Sequence, residues 1–449
     1  MLKIHSKKGE KTLNNHLIFT RSLVISPYEA SLRKSRNNKQ RSSVKKPLRL
    51  PSIQPSVITK SFVIEGEYPD IREALLKRGW EELHPNSKNF EFKWTRSARL
   101  PEILFENQMI NHLAEIFHLS TKTHLTKNLE VLTDKDSFFP KSFILQNEKT
   151  FTKFVQFFKK RELENILKKF LDGKVEKRRA QEAYKSLKLI KQFKTFEGKR
   201  ESLDFKEKVR AFLKGLKKNP QCNICNKENV YIVKPGFLSR GRNIIVSKSL
   251  QTILKHARQL KQAIVQKYIE NPLLINSKKF DIRQWVLLTT SPLQVYFYKE
   301  CYLRFAPCDY NPTEVSNLMI HLTNNSVVKH CPEFVKEQSM WDSAAFQVWL
   351  NKHYPPNAWQ SIQKTMKLIV KKVVKSVEDK VSTRDRCCEL LGFDFMVDED
   401  LKVWLLEVNT SPAMDYSTSV TQKLVKQVLN DTICVFIDNQ PQFTQFELI

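Results

Sequence analysis

Residues 392–409 read Gly-Phe-Asp-Phe-Met-Val-Asp-Glu-Asp-Leu-Lys-Val-Trp-Leu-Leu-Glu-Val-Asn. Two β-rich runs flank an acidic turn, the pattern of a hairpin. Side chains alternate along a strand, so Glu407 and Asn409 share a face. A turn centred in Asp398–Asp400, with even-numbered residues pairing to odd ones, brings Asp394 onto that face too. Three hard oxygen ligands then converge on strands otherwise too apolar for a solvated surface. Such a set suits Mg²⁺, which takes one or two carboxylates and leaves its other positions to substrate phosphates.

The chain has 449 residues, a length that predicts about three domains. Its net charge of +29 calls for an acidic partner: nucleic acid, an anionic membrane or an acidic protein tail. The excess is uneven. Residues 1–60 hold 14 lysines and arginines against 2 acids, and residues 151–220 hold 22 against 9. No apolar run reaches the roughly 18–20 residues of a membrane span, and no secretory signal is expected. Eight cysteines, scattered through a long chain, indicate a reducing compartment. Cys222 and Cys225 have zinc-like spacing but no second pair nearby, and read as reduced thiols in a loop.

Residues 1–60 read as a basic, largely disordered tail. A first compact unit, 61–150, opens with a strand at Ser61–Ile64 and a helix running to Arg78 with Asp70 as N-cap. Residues 151–220 form a Lys-rich helical insertion. Its recurring Phe154, Phe157, Phe158, Leu163, Ile166, Leu167 and Phe170 read as a packing stripe. Residues 221–438 alternate strands and helices, and 439–449 read as a C-terminal tail.

With nine glycines, the chain has neither GxGxxG nor GxxxxGK[ST], which excludes P-loop and dinucleotide-binding readings. Around Tyr231–Ile244 a strand delivers Lys234. A flexible basic loop with Ser239, Arg240 and Gly241 follows, then a second strand. This suits either a flap that grips phosphate or a plain basic hairpin. At Val265–Pro272 a strand is stopped by proline. Its last backbone amides are expected to be exposed, to an adenine ring or simply at a strand end. Lys279, Asp281 and Arg283 alternate with the apolar Phe280 and Ile282, and Arg304 sits between Leu303 and Phe305. Charges so placed need partners or a polar ligand. His321-Leu322-Thr323-Asn324-Asn325 adds small polar donors.

Taken together, the KFDIR, HLTNN and GFDFMVD…WLLEVNTSP blocks resemble the tubulin–tyrosine ligase-like family of ATP-grasp ligases, over about residues 61–438. Residues 62–72 (FVIEGEYPDIR), 90–94 (FEFKW), 298–305 (YKECYLRF) and 324–330 (NNSVVKH) are most similar to its glycylase branch. The resemblance implies an α+β ATP-grasp fold, with a small N-terminal α/β domain and with central and C-terminal domains sandwiching ATP. It implies that Lys234, Arg240 and Gly241 contact ATP phosphates, with Lys122 as a further phosphate contact. Gln266, Lys267, Tyr268 and Ile269 would form the adenine hinge. Lys279 and Asp281 would reach the nucleotide, Asp281 at the ribose, and Thr323 and Asn324 would lie near the phosphates. Asp394, Glu407 and Asn409 would hold Mg²⁺. Arg283 and Arg304 would bind the carboxylate substrates and act in catalysis. The implied reaction is ATP-dependent ligation of glycine to glutamates in the acidic tails of tubulin, by a monomer at microtubules and in cilia. Nucleic acid and membrane are not implied as partners. A polyglutamylase of the same family and a non-catalytic basic microtubule-binding protein stand as alternatives. Many relatives have glycine where Asn243 stands, and asparagine tolerates the left-handed backbone such a position needs.

Overall fold

The computed structural model describes residues 60–97, 107–189, 204–225, 228–237, 241–381 and 384–449. The expected tail, together with Ser239 and Arg240, lies outside them. Among the described residues, fifteen strands form three sheets, and helices cover their apolar faces.

The first sheet is parallel, in the order β2 (Glu81–Glu82), β1 (Ser61–Glu65), β3 (Phe92–Thr95) and β4 (Met109–Ile110). The helix after β1 spans Pro69–Leu76, with Tyr68 as N-cap. Asp70 is therefore not the N-cap. Proline is favoured at the first helical position because its fixed φ suits the helix and its missing N–H is no loss there.

The second sheet is antiparallel, in the order β5 (Ser142–Leu145), β8 (Ala263–Lys267), β6 (Tyr231–Pro235) and β7 (Ile245–Ser247). β5 thus leaves the 61–150 segment and pairs with a strand more than a hundred positions on (Ser142↔Gln266, for example). One face of this sheet buries Tyr231, Val233 and Val265 under Phe154 and Phe158 of the helix Glu148–Leu171. The Tyr231 ring centroid lies 5.3 Å from that of Phe154 and 5.4 Å from that of Phe158. The stripe is core packing at this end. Further along, Leu167 and Phe170 pack with helices Lys177–Leu189 and Phe205–Leu216.

The third sheet runs β12 (Met340–Asp342), β11 (Gln294–Asp309), β10 (Lys278–Thr289), β13 (Cys388–Val397) and β14 (Val403–Thr410). β9 (Leu274–Ile275) adds to β10. β15 (Phe446–Leu448) adds to β11, pairing Phe446 with Tyr298. Residues 439–449 are therefore not a tail: Phe446 is buried in the core. Alternation along β10 divides two cores. Phe280, Ile282, Val286 and Leu288 pack toward the helix Ala358–Lys375. Trp285 and Leu287 face the first sheet and the helix Ser419–Phe436. Upstream on that second face, the same alternation aligns Lys279, Asp281 and Arg283.

Candidate active site

The hairpin β13–β14 forms as its sequence suggests, but by a route the sequence does not reveal. The buried Asp398 closes the turn: its carboxylate accepts from the backbone N–H of Asp400 (3.1 Å) and Lys402 (2.9 Å) and from the indole N–H of Trp404 (2.8 Å). Next to the turn, even residues pair with even and odd with odd, as in Met396↔Trp404 and Val397↔Val403. Beyond Phe395↔Leu405 the register shifts, leaving Leu406 as an extra residue, and Asp394 then faces Glu407 while Gly392 faces Asn409. A bulge of this kind re-aims the side chains after it. The expected even-to-odd pairing exists only past the bulge.

This register builds a row of charges across the sheet. Arg283 of β10 is opposite Asp394, and Arg304 of β11 is opposite Asp281. Arg283 donates to Asp394 through Nε (2.6 Å) and Nη2 (3.3 Å). Arg304 donates to both Asp281 oxygens at 2.8 Å and bridges to Asp394 at 2.9 Å. Thr323 donates its hydroxyl to Asp281 at 2.6 Å. Asp281, Arg283, Arg304 and Asp394 are all buried. Both guanidinium groups face carboxylates of the protein, and Asp281 is taken by Arg304 and Thr323. The ion-pair partners that the sequence demanded are therefore each other.

Gly392 leaves the room this row needs. A β-carbon there would meet Arg283 Cδ and Nε and Pro412 Cβ, each at 3.0 Å. Arg283 is pinned by Asp394 and cannot yield without breaking that pair. Gly392→Ala is expected to destabilise the chain by about 1–3 kcal/mol, as overpacking does, read from urea denaturation. An unchanged midpoint would mean that Arg283 shifts freely.

In front of this row lies a cleft of about 750 Å³ between the second sheet and the β13–β14 hairpin. Asp394 and Glu407 reach it from one side; Lys122, Lys234 and Lys279 reach it as well. Lys122 opens the helix Lys122–Asn128 and lies 3.2 Å from Glu407. Lys234 donates to Gln266 Oε1 at 2.9 Å, and Lys279 to the His321 carbonyl at 2.5 Å. Burial lowers Lys234 to about 8 against the pull of Glu407, and lowers Lys279 to about 7 against the pull of Asp281. An anion in the cleft would restore the full charge of both. For Glu407 burial opposes ionisation, yet Lys122 and Lys234 hold its carboxyl down to about 2. It is thus an anion at neutral pH.

Apolar surface completes the cleft. Ile232, Ile244, Leu322, Met396 and Leu406 line it beside Tyr268 and Ile269. Sequence reasoning missed these, along with His321. Ile232, Met396 and Leu406 were signalled only by alternation within strands already picked out, whereas His321 and Leu322, inside the HLTNN block, end the short helix Leu318–His321, where no alternation marks them. His321 donates from Nε2 to the Glu314 carbonyl (2.9 Å), which leaves Nδ1 to accept from the Tyr268 hydroxyl (2.9 Å). Burial, aided by Lys279, lowers it to about 4, so it stays neutral.

One expectation about the strand end at Gln266–Ile269 changes. The amides of Lys267, Tyr268 and Glu270 are not exposed: they donate to the carbonyls of Lys141 (2.8 Å), Val230 (3.1 Å) and Ile224 (3.1 Å). The Lys267 side chain is fully buried. Its ammonium, with three donors, meets the Val230 carbonyl (2.7 Å), the Tyr268 carbonyl (3.2 Å) and Glu270. Thr323, Asn324 and Gly241 line the cleft. Gly241 has φ +71°, and a β-carbon on it would come within 2.6 Å of Val327. Asn243 takes φ +56°, the left-handed backbone expected of it, and its carbonyl accepts from His256 at 3.0 Å. Asn409 stands behind Glu407, its amide 3.2 Å from Asp394 and 3.5 Å from Glu407.

Asp394, Glu407 and Asn409 fit a hard divalent cation. Two oxygen anions lie side by side, one forced to ionise by lysines, and an amide that can turn its oxygen toward them stands next to both.

The chain is similar to Tubulin glycylase 3D of Tetrahymena thermophila, with 31% identity over 85% of this chain and 48% of that protein. It is 39% identical to Protein monoglycylase TTLL8 of Homo sapiens over 51% of this chain and 29% of the relative. For Tubulin monoglycylase TTLL3 of Homo sapiens the figures are 40%, 49% and 30%. The chain spans about half the length, or less, of these curated relatives. The model of the Tubulin-tyrosine ligase family matches residues 101–444, which include every residue of the charged row and every residue lining the cleft. The chain belongs to the tubulin-tyrosine ligase family.

Proposed function

We propose that this chain is an ATP-dependent carbon–nitrogen ligase of ATP-grasp type. It joins glycine, through an isopeptide bond, to glutamate γ-carboxylates in the acidic C-terminal tails of tubulin. The observation that carries this reading is the cleft itself: paired carboxylates, Asp394 and Glu407, set beside Lys122, Lys234 and Lys279, with an apolar wall for a base. The names of its relatives support glycine as the added amino acid.

The reaction has two steps. The γ-carboxylate attacks the γ-phosphorus of ATP, forming an acyl-phosphate and releasing ADP. The glycine amine then attacks the acyl carbon, phosphate leaves and the amine proton is lost. Asp394, Glu407 and Asn409 would hold Mg²⁺, which when bound neutralises phosphate charge and favours in-line transfer. Lys122, Lys234, Arg240 and Gly241 bind the phosphates. Gln266, Lys267, Tyr268 and Ile269 form the adenine hinge. Lys267 and Tyr268 serve there through carbonyl and ring rather than through free amides. Lys279 and Asp281 flank the ribose, and Thr323 and Asn324 lie near the phosphates. Arg283 and Arg304 hold Asp394 in place and stabilise charge developing beside it. The work is done by a monomer at microtubules and in the ciliary axoneme.

The test is mass spectrometry of tubulin-tail peptides after incubation with the protein, ATP and either glycine or glutamate. A glycine adduct on a glutamate side chain is expected. A glutamate adduct alone would make the protein a polyglutamylase, and no adduct with either would leave a binding protein.

The charge distribution gives a further expectation. Basic residues in 1–60 and 151–220 steer the chain toward acidic tails. Raising ionic strength from about 50 to about 200 mM shortens the Debye length to roughly 7 Å. Microtubule affinity should fall by about tenfold or more, whereas ligation on a saturating short acidic peptide should fall by less than about twofold, because screening is weaker inside a cleft. Removing residues 1–60 should reproduce part of the loss in affinity. Equal salt sensitivity of the two readouts would sink the steering argument.

A further inference from the structure

All eight cysteines are free thiols, and two of them meet across a long stretch of chain. Cys308 lies near the end of β11, and Cys331 follows the short helix Asn325–Val328. Their sulfurs are 3.7 Å apart. Glu333 joins them: its Oε2 lies 2.8 Å from the Cys331 sulfur and 4.0 Å from that of Cys308. The three ligand atoms all fall within 4.8 Å of one another. Cys331 is buried, Cys308 half-buried and Glu333 exposed.

The sulfur separation discriminates between two chemistries. A disulfide needs its sulfurs at about 2.05 Å, so the pair would have to close by well over an ångström. A tetrahedral zinc–thiolate site has Zn–S bonds of about 2.3 Å; the edge between two sulfurs of such a tetrahedron is about 3.8 Å. The two thiols already stand at that spacing. The sulfur–oxygen edge of the same tetrahedron is about 3.5 Å, which the two Glu333 distances bracket. Thiolates favour a soft or borderline cation over Mg²⁺. This also separates the cluster from the all-oxygen set at Asp394.

The pair singled out in the sequence, Cys222 and Cys225, does not offer such a site. The Cys222 sulfur accepts from the Arg161 guanidinium at 3.0 Å, and Cys225 donates to the Gln221 carbonyl at 3.0 Å. A cation there would face a buried arginine.

Cys308 and Cys331 also bracket a functional segment. Residues 309–330 carry His321, Thr323 and Asn324, which line the cleft, and Val327, which packs against Gly241. A link at the base of this segment restrains the cleft wall without touching it.

We propose that Cys308, Cys331 and Glu333 bind one zinc ion, with the fourth position open to water, and that the ion ties the two ends of the 309–330 segment together. Binding replaces the two thiol protons, which pass to solvent. The inference is independent of the ligase reading, because its test needs no turnover.

Zinc is titrated into the reduced full-length protein against a chromophoric chelator, in excess Mg²⁺ so that the oxygen site at Asp394 is satisfied. One equivalent is expected to bind. Cys308→Ser should weaken it by about 100-fold and Glu333→Gln by about tenfold, while the Cys222→Ser/Cys225→Ser double variant should bind as the parent does. Hydrogen exchange of residues 309–330 should slow when zinc is added to the parent and stay unchanged in Cys308→Ser. Cys308 is half-buried, so this variant tests the site even if Cys331→Ser fails to fold. Absence of stoichiometric zinc uptake, or uptake undiminished in Cys308→Ser, would overturn the proposal. So would recovery of Cys308 and Cys331 joined as a disulfide in untreated protein.

Discussion

Glu407→Gln is expected to reduce ligation by about a thousandfold or more, at the upper end of what loss of a single preorganised electrostatic group costs, while the fold persists. The two side chains have nearly the same shape, and glutamine can still accept a hydrogen bond from Lys122, which lies 3.2 Å from Glu407 in the parent. What is lost is one of two negative charges facing each other across β13 and β14. The lysines that hold Glu407 ionised would then outweigh the remaining carboxylate, and a divalent cation would be repelled. The measurement is single-turnover ligation on a tail peptide, with circular dichroism and a melting curve as controls for folding. A correctly folded variant that retains the parent rate would remove Glu407 from the metal-binding set.

The second large effect falls on stability. Arg304 pairs with Asp281 through two hydrogen bonds and also bridges to Asp394, all within the protein interior. Arg304→Met keeps much of the length of the side chain and removes its charge. Asp281 is left with Thr323 as a neutral donor, and breaking a buried ion pair from one side costs about 3–5 kcal/mol. Removing both partners costs less, since well-packed apolar residues often replace a buried pair without loss. The double variant Arg304→Met/Asp281→Leu should therefore recover part of the stability lost by Arg304→Met. Urea denaturation of the two variants against the parent measures this. A loss below about 1 kcal/mol in the single variant, too small for a broken buried pair, would mean that water reaches Asp281 and that the row is solvated.

The charged row shows how far local pattern reaches. Alternation placed Lys279, Asp281 and Arg283 on one face of β10, and Glu407 and Asn409 on one face of β14. These are properties of any strand, and they were legible in the sequence. Which charge meets which was not legible. Arg283 could have faced a ligand as readily as Asp394, and only the register between β10, β11 and β13 decides it. The strand end at Gln266–Ile269 makes the same point. A proline at position 272 ends a strand, but whether the amides before it stay open depends on the Lys141, Val230 and Ile224 carbonyls, which come from other segments. The final residues behave likewise: Phe446 and its neighbours look like a tail until β11 presents an edge for them to join.

The sequence by itself determined the chemistry of this protein's site. It supplied two carboxylates and an amide on apolar strands, lysines at the ends of others, neither the P-loop nor the dinucleotide-binding glycine motif, and a large basic excess. Those follow from residue type and from the two-residue period of a strand, which need no partner to be read. Only the tertiary structure decided the pairing. The extra residue at Leu406 shifts the hairpin register by one, so that Glu407 rather than its neighbour stands opposite Asp394. A bulge costs a ladder hydrogen bond locally, and no local propensity announces it. Past it, Glu407 stands opposite Asp394 and Asn409 opposite Gly392, a pairing fixed by the strand partners and not by the strand's own residues.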